Sequence, residues 1–225
     1  MNRWLMVSLL LTVLAFGCPV FLYYGRSDLL REQIPTHFNA AGEADVWTPR
    51  ERILPQWLLL PAVMLLLVVL SVLLPWLSPR GFEIDRFRGT FFLLMAAVSV
   101  LMGYIQFLLV LGGVQGIQLD LSRWLLGGVS LFFALLGNRL GKVQRNFWMG
   151  VRTPWTLASE TVWIQTHRLT AWLWTAGGVL LAVLAFAGVS VWVWIAGLGV
   201  MALYPVFYSL WLYKRLEKQG RLAPP

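Results

Sequence analysis

Long apolar runs alternate along the chain with short polar ones, and six of the runs are long enough to carry a helix across a bilayer. Such a helix takes about 20 mostly apolar residues, because hydrocarbon offers unpaired backbone groups no water to bond. The runs lie at Trp4–Tyr24, Gln56–Leu77, Thr90–Leu111, Ser122–Leu136, Leu169–Ala187 and Ser190–Tyr213, the fourth being the shortest. Only "AFAGVS" separates the last two, which predicts antiparallel neighbours. Gly178 and Ala182, small residues four apart, would let those two helices approach closely.

The first polar interval, residues 25–55, is long for a helix-to-helix link and contains "IPTHFNAAGEADVWTPRERILP". Pro35 disfavours helix, "NAAGEAD" supplies turn residues, and Ile34, Phe38, Val46 and Trp47 offer apolar positions for a short hairpin packed over the helix ends. Two readings of it stand side by side, a folded cap and a recognition surface mounted on a rigid scaffold. The fold expected is an all-α integral membrane protein of about six transmembrane helices, with a small folded outer loop between helices 1 and 2. It divides into a two-helix region, 1–77, with the loop 25–55, and a four-helix region, 78–225, with a long connection over 137–168.

Composition agrees with this pattern. Hydrophobic residues make up 59% and charged residues 12%, against about 45–50% and 25% in a soluble domain. The net charge of +8 would suit nucleic acid, but its distribution points to membrane lipids instead. Lys and Arg collect on the cytoplasmic side of membrane proteins. With the N-terminus inside, thirteen fall there: Arg3, Arg80, Arg86, Arg88, Arg139, Lys142, Arg145, Arg152, Arg168, Lys214, Arg215, Lys218 and Arg221. Only Arg26, Arg31, Arg50, Arg52 and Arg123 fall outside. Both termini are therefore expected in the cytoplasm, and no direct contact with nucleic acid is expected. The single cysteine, Cys18, excludes an intrachain disulfide and reads as a small packing residue.

The most polar stretch of the second half is "GVRTPWTLASETVWIQTHR", residues 150–168. Thr153 ahead of Pro154 is a cap and first turn, so a helix should start near 154–157 and run on into the fifth span. On that helix Glu160, Trp163 and His167 share a face. A carboxylate and an imidazole can exchange protons and Arg152 can hold an anion, but no nucleophile accompanies them. The two histidines, His37 and His167, are expected on opposite sides of the membrane, which leaves no metal site, and no cofactor or catalytic residue is assigned. Arg152 and Glu160 are expected to set the conformation of the loop, with Asn146 bonding its irregular backbone. A transporter or channel for a small solute would want ionisable groups at mid-membrane, where Gln106 and Asp120 are the nearest candidates. That reading is the alternative to a binding protein, and an intramembrane enzyme using Glu160 and His167 is weaker still.

The run "NFWMGVRTPWTLASETVWIQTHR" closely resembles the signature of the SdpI family of bacterial membrane proteins, in which an Asn, a Gly-x-Arg-Thr-Pro-Trp-Thr-Leu block and a Trp-x3-His-Arg pair recur. Position by position, the signature falls on Asn146, Gly150, Arg152, Thr153, Pro154, Trp155, Thr156, Leu157, Trp163, His167 and Arg168. The segment "IPTHFNAAGEADVW" is similar to the loop of an uncharacterised domain that commonly precedes the signature, and there the match falls on Pro35, His37, Asn39, Gly42 and Asp45. The resemblance implies a multi-pass protein of the bacterial cytoplasmic membrane that confers immunity against a secreted, membrane-active peptide toxin. It further implies, from the family's best-known member, a second role in which a small helix-turn-helix repressor is held at the cytoplasmic face.

Overall fold

A computed structural model describes residues 2–39, 43–80, 82, 84–117 and 120–222. The elements run α1 (Arg3–Gly25), β1 (Gln33–Phe38), β2 (Ala44–Pro49), α2 (Leu54–Trp57), α3 (Leu59–Trp76), α4 (Arg88–Gly112), α5 (Leu121–Leu140), α6 (Pro154–Ala158), α7 (Glu160–Phe186) and α8 (Val191–Lys218). Six helical spans are long and apolar enough to cross a membrane, α2 and α3 together forming the second, so this is a multi-pass membrane protein. Several hydroxyls inside the spans return to the backbone of their own helix, as Ser71 Oγ donates to the Leu67 carbonyl at 2.7 Å and Thr12 Oγ1 to that of Ser8 at 2.8 Å. Hydrocarbon favours this, since it provides no other partner.

The starts of α1, α5, α6, α7 and α8 carry polar side-chain caps, and those of α2, α3 and α4 do not. The Asn2 carboxamide accepts from Trp4 N at 2.9 Å, and Asp120 Oδ1 accepts from Arg123 N at 3.1 Å. α1 packs on α3 and α4, α4 on α5, α5 on α7, and α7 on α8. The closest approach is that of α5 to α7. A methyl group on Gly178 would stand 2.6 Å from the Ser130 carbonyl oxygen and from Ala134 N, and one on Gly137 would stand 2.6 Å from Thr175 N. Glycine's missing side chain lets these backbones touch. Gly178 thus joins α7 to α5 rather than to α8 as expected, and Cys18 points outward rather than packing inside.

The interval expected to be a hairpin is one. β1 and β2 pair antiparallel, with Ile34 opposite Thr48 and Pro35 opposite Trp47. Ile34 is fully buried with Leu30, Ile53, Trp57 and Val110, whereas Val46 and Trp47 are half exposed instead of packing. The hairpin base is tied to the link after α4. Arg31 N donates to the Gly113 carbonyl at 2.9 Å, Gln115 N to that of Leu29 at 2.8 Å, and the Arg31 guanidinium caps the carbonyls of Val114 and Ile117. The hairpin, this link and the α7–α8 turn make one end of the molecule. The opposite end holds the α3–α4 link, residues 141–158 and the end of α8.

Candidate functional site: a loop that floors a membrane cleft

The connection expected over 137–168 is mostly helix. α5 runs to Leu140 and α7 starts at Glu160, leaving 141–153 as coil. The helix expected from 154 into the fifth span is broken at Ser159, whose φ of −138° and ψ of 122° are extended and whose Oγ accepts from Val162 N at 3.4 Å. α6 has its own start, in which Thr153 Oγ1 accepts from Thr156 N at 3.2 Å while Thr156 Oγ1 accepts from Thr153 N at 2.9 Å. This is a reciprocal capping box with Pro154 in the first turn. Two cap signals in seven residues make two helices where one was expected.

Asn146 is completely buried, and its amide uses every hydrogen-bonding position. Oδ1 accepts from Trp148 N at 2.7 Å and Met149 N at 2.8 Å, and Nδ2 donates to the carbonyls of Gln144 at 2.9 Å and Met149 at 3.0 Å. One side chain therefore folds the coil around itself. The chain then reverses at Gly150, with φ +106°, where any side chain would also run into the His167 ring. His167, itself buried, closes the loop. Its Nε2 accepts from Val151 N at 3.0 Å, and its Nδ1 donates to the Trp163 carbonyl at 2.8 Å. A donor on one side and a carbonyl on the other fix the neutral Nδ1–H tautomer. The ring stacks on Trp163 at 4.0 Å between centroids, and Trp163 Nε1 donates to the Val143 carbonyl at 2.8 Å.

The remaining motif residues divide between the interior and the surface. Trp155 Nε1 donates to Ser209 Oγ on α8, which also lies 3.4 Å from Thr153 Oγ1. Trp148 Nε1 donates to Ser78 Oγ at 2.9 Å. The Arg152 guanidinium is exposed and donates one N–H to the Phe147 carbonyl. Glu160 and Arg168 are exposed and make no side-chain hydrogen bond or ion pair among the described residues, so Glu160 does not join Trp163 and His167. Sequence reasoning did not find Ser78 or Ser209.

Above this loop a cleft of about 440 Å³ opens between α4, α5, α7 and α8. Its walls include Leu94, Val98, Leu136, Trp174 and Val206, and its floor is the backbone from Met149 to Thr153 with Arg152. The other group of motif residues lies at the far end. Pro35 is buried in β1, and His37 Nδ1 meets Asp45 Oδ1 at 2.6 Å with both side chains exposed. Asn39 and Glu43 bond each other across the turn, and Gly42 lies outside the described residues. Among the described residues, no three His, Cys, Asp or Glu side chains gather as metal ligands.

Residues 142–209 match the model of the SdpI/YfhL protein family, which takes in the whole loop, α6, α7 and most of α8. Over 182 residues, 80% of each chain, the protein is 28% identical to "Immunity protein SdpI" of Bacillus subtilis (strain 168). No solved structure matches it. Asn146, Gly150 and His167, which fold and close the floor of the cleft, thus lie within the segment that matches the SdpI/YfhL family model.

Proposed function

We propose that this protein is a membrane immunity protein that neutralises or senses a secreted, membrane-active peptide toxin. The observation that carries the reading is the likeness to an immunity protein over four-fifths of both chains. The fold supports it, with a tied-down hairpin at one end and the motif loop at the other. Thirteen of the eighteen basic residues belong to the motif end by sequence, which supports a cytoplasmic position for that end and both termini. The hairpin then meets the toxin outside, and the loop is the face available to a cytoplasmic repressor.

The test is survival of a toxin-sensitive bacterium expressing the wild type, challenged with secreted membrane-active peptides alongside His37→Ala and Arg152→Ala at equal protein level. Survival lost in either variant supports immunity, and a wild type that resists no peptide removes it. Orientation is checked separately in a Cys18→Ser background. A membrane-impermeant thiol reagent applied to intact cells should label Glu43→Cys and leave Ala158→Cys untouched.

A further inference from the structure

We propose that the cleft between α4, α5, α7 and α8 is a binding site for one anionic phospholipid, with an acyl chain against the helix walls and the phosphate on Arg152. The inference does not rest on the immunity reading. The cleft, at about 440 Å³, is within the range of roughly 300–1,000 Å³ in which small-molecule sites form. Its walls are aliphatic and aromatic side chains of membrane-spanning helices, so in a bilayer it is filled by hydrocarbon rather than water. What distinguishes it is the floor. Arg152 contributes a guanidinium at the depth where α5 ends and α6 begins, beside the half-exposed Phe147, which places it at the headgroup level.

Arg152 is free to act there. Of its five N–H donors one goes to the Phe147 carbonyl, and no acidic side chain pairs with it among the described residues. That single bond aims the group, and the remaining donors suit the fork geometry of a phosphate. Asn146 and His167 have no hydrogen-bonding capacity left for a ligand, because each polar atom already has its partner. Their part is to hold the backbone on which Arg152 sits. A second cleft makes the contrast. Between α1, α4 and α5, lined by Val7, Leu93, Val100 and Leu131, some 390 Å³ is bounded without any charged side chain. It accepts a lipid tail without choosing its headgroup.

The test uses the full chain purified from a membrane containing equal phosphatidylglycerol and phosphatidylcholine, with retained lipids counted by native mass spectrometry. One tightly held phosphatidylglycerol is expected. Arg152→Gln, which keeps a donor for the Phe147 carbonyl, should lower its retention about fivefold, the worth of one basic contact at a membrane surface. Arg139→Gln removes the same charge from the same end outside the cleft and should change retention less than twofold. Ala202→Trp fills the cleft without touching the loop and should expel the lipid. Equal losses in Arg152→Gln and Arg139→Gln would mean general attraction to a basic face and overturn the site. So would undiminished retention in Ala202→Trp, or a wild type that holds both lipids alike.

Discussion

The two ends of the molecule are built by different means. At the hairpin end the strands bond each other through the backbone, and the charged side-chain pairs, His37 with Asp45 and Arg50 with Glu51, lie at the surface. At the motif end the coil has no ladder, and buried side chains supply what a ladder would: Asn146 holds four backbone groups and His167 two. Backbone pairing is available to nearly any sequence that tolerates an extended strand. A coil held by one amide and one imidazole is available only to that amide and that imidazole. The difference teaches where residue identity is fixed by folding and where it is left for recognition.

Substitutions can break this contrast. The largest effect is expected of Asn146→Ala, which strands four backbone groups away from water and should cost roughly 3–5 kcal/mol. Its detergent-solubilised form should melt far below the wild type and be cleaved first within 141–153. Gly150→Ala follows, at about 2–3 kcal/mol, because it sets a side chain at positive φ against the His167 ring. It should free Val151 N from the ring, seen as faster amide exchange there. Ser209→Ala leaves the Trp155 indole N–H without its partner and should cost about 1 kcal/mol. Proteolysis should rise within 153–159 and nowhere else. The smallest effect belongs to His37→Ala, under about 0.5 kcal/mol, since the pair it breaks is exposed. A drop in melting temperature as large as that of Ser209→Ala would show that the hairpin side chains are structural. An unchanged melt together with lost toxin resistance would mark them as contacts.

Each part of the fold was legible to the extent that its cause was local. The spans were readable because crossing a bilayer needs only apolar length, and α4 starts within two residues of the run that predicted it. The hairpin was readable from Pro35 and the turn residues, but its faces were not. Alternation does not say which side meets the helices, and Trp47 turned out half exposed. The break at Ser159 was written in the chain as a second cap next to Glu160, and the continuous apolar spacing on either side hid it. In the site, Asn146 was assigned to the loop backbone from its place beside an irregular run. The anchors Ser78 and Ser209 lie 70 and 54 residues from the indoles they receive, beyond the reach of any local pattern.

The glycine-lined contact between α5 and α7 carries a consequence for biosynthesis. α5 has polar Ser130, a Gly127–Gly128 pair and an Asn138–Arg139 end, which makes it a weak candidate for entering lipid unaided. Its grooved face gains a partner only when Gly178 has been synthesised, about forty residues after Gly137. Translation stopped ahead of α7 should therefore leave a product whose fourth span slips back out of the bilayer and is handed to quality-control proteases. Release of the completed α7 would let the pair enter the membrane together.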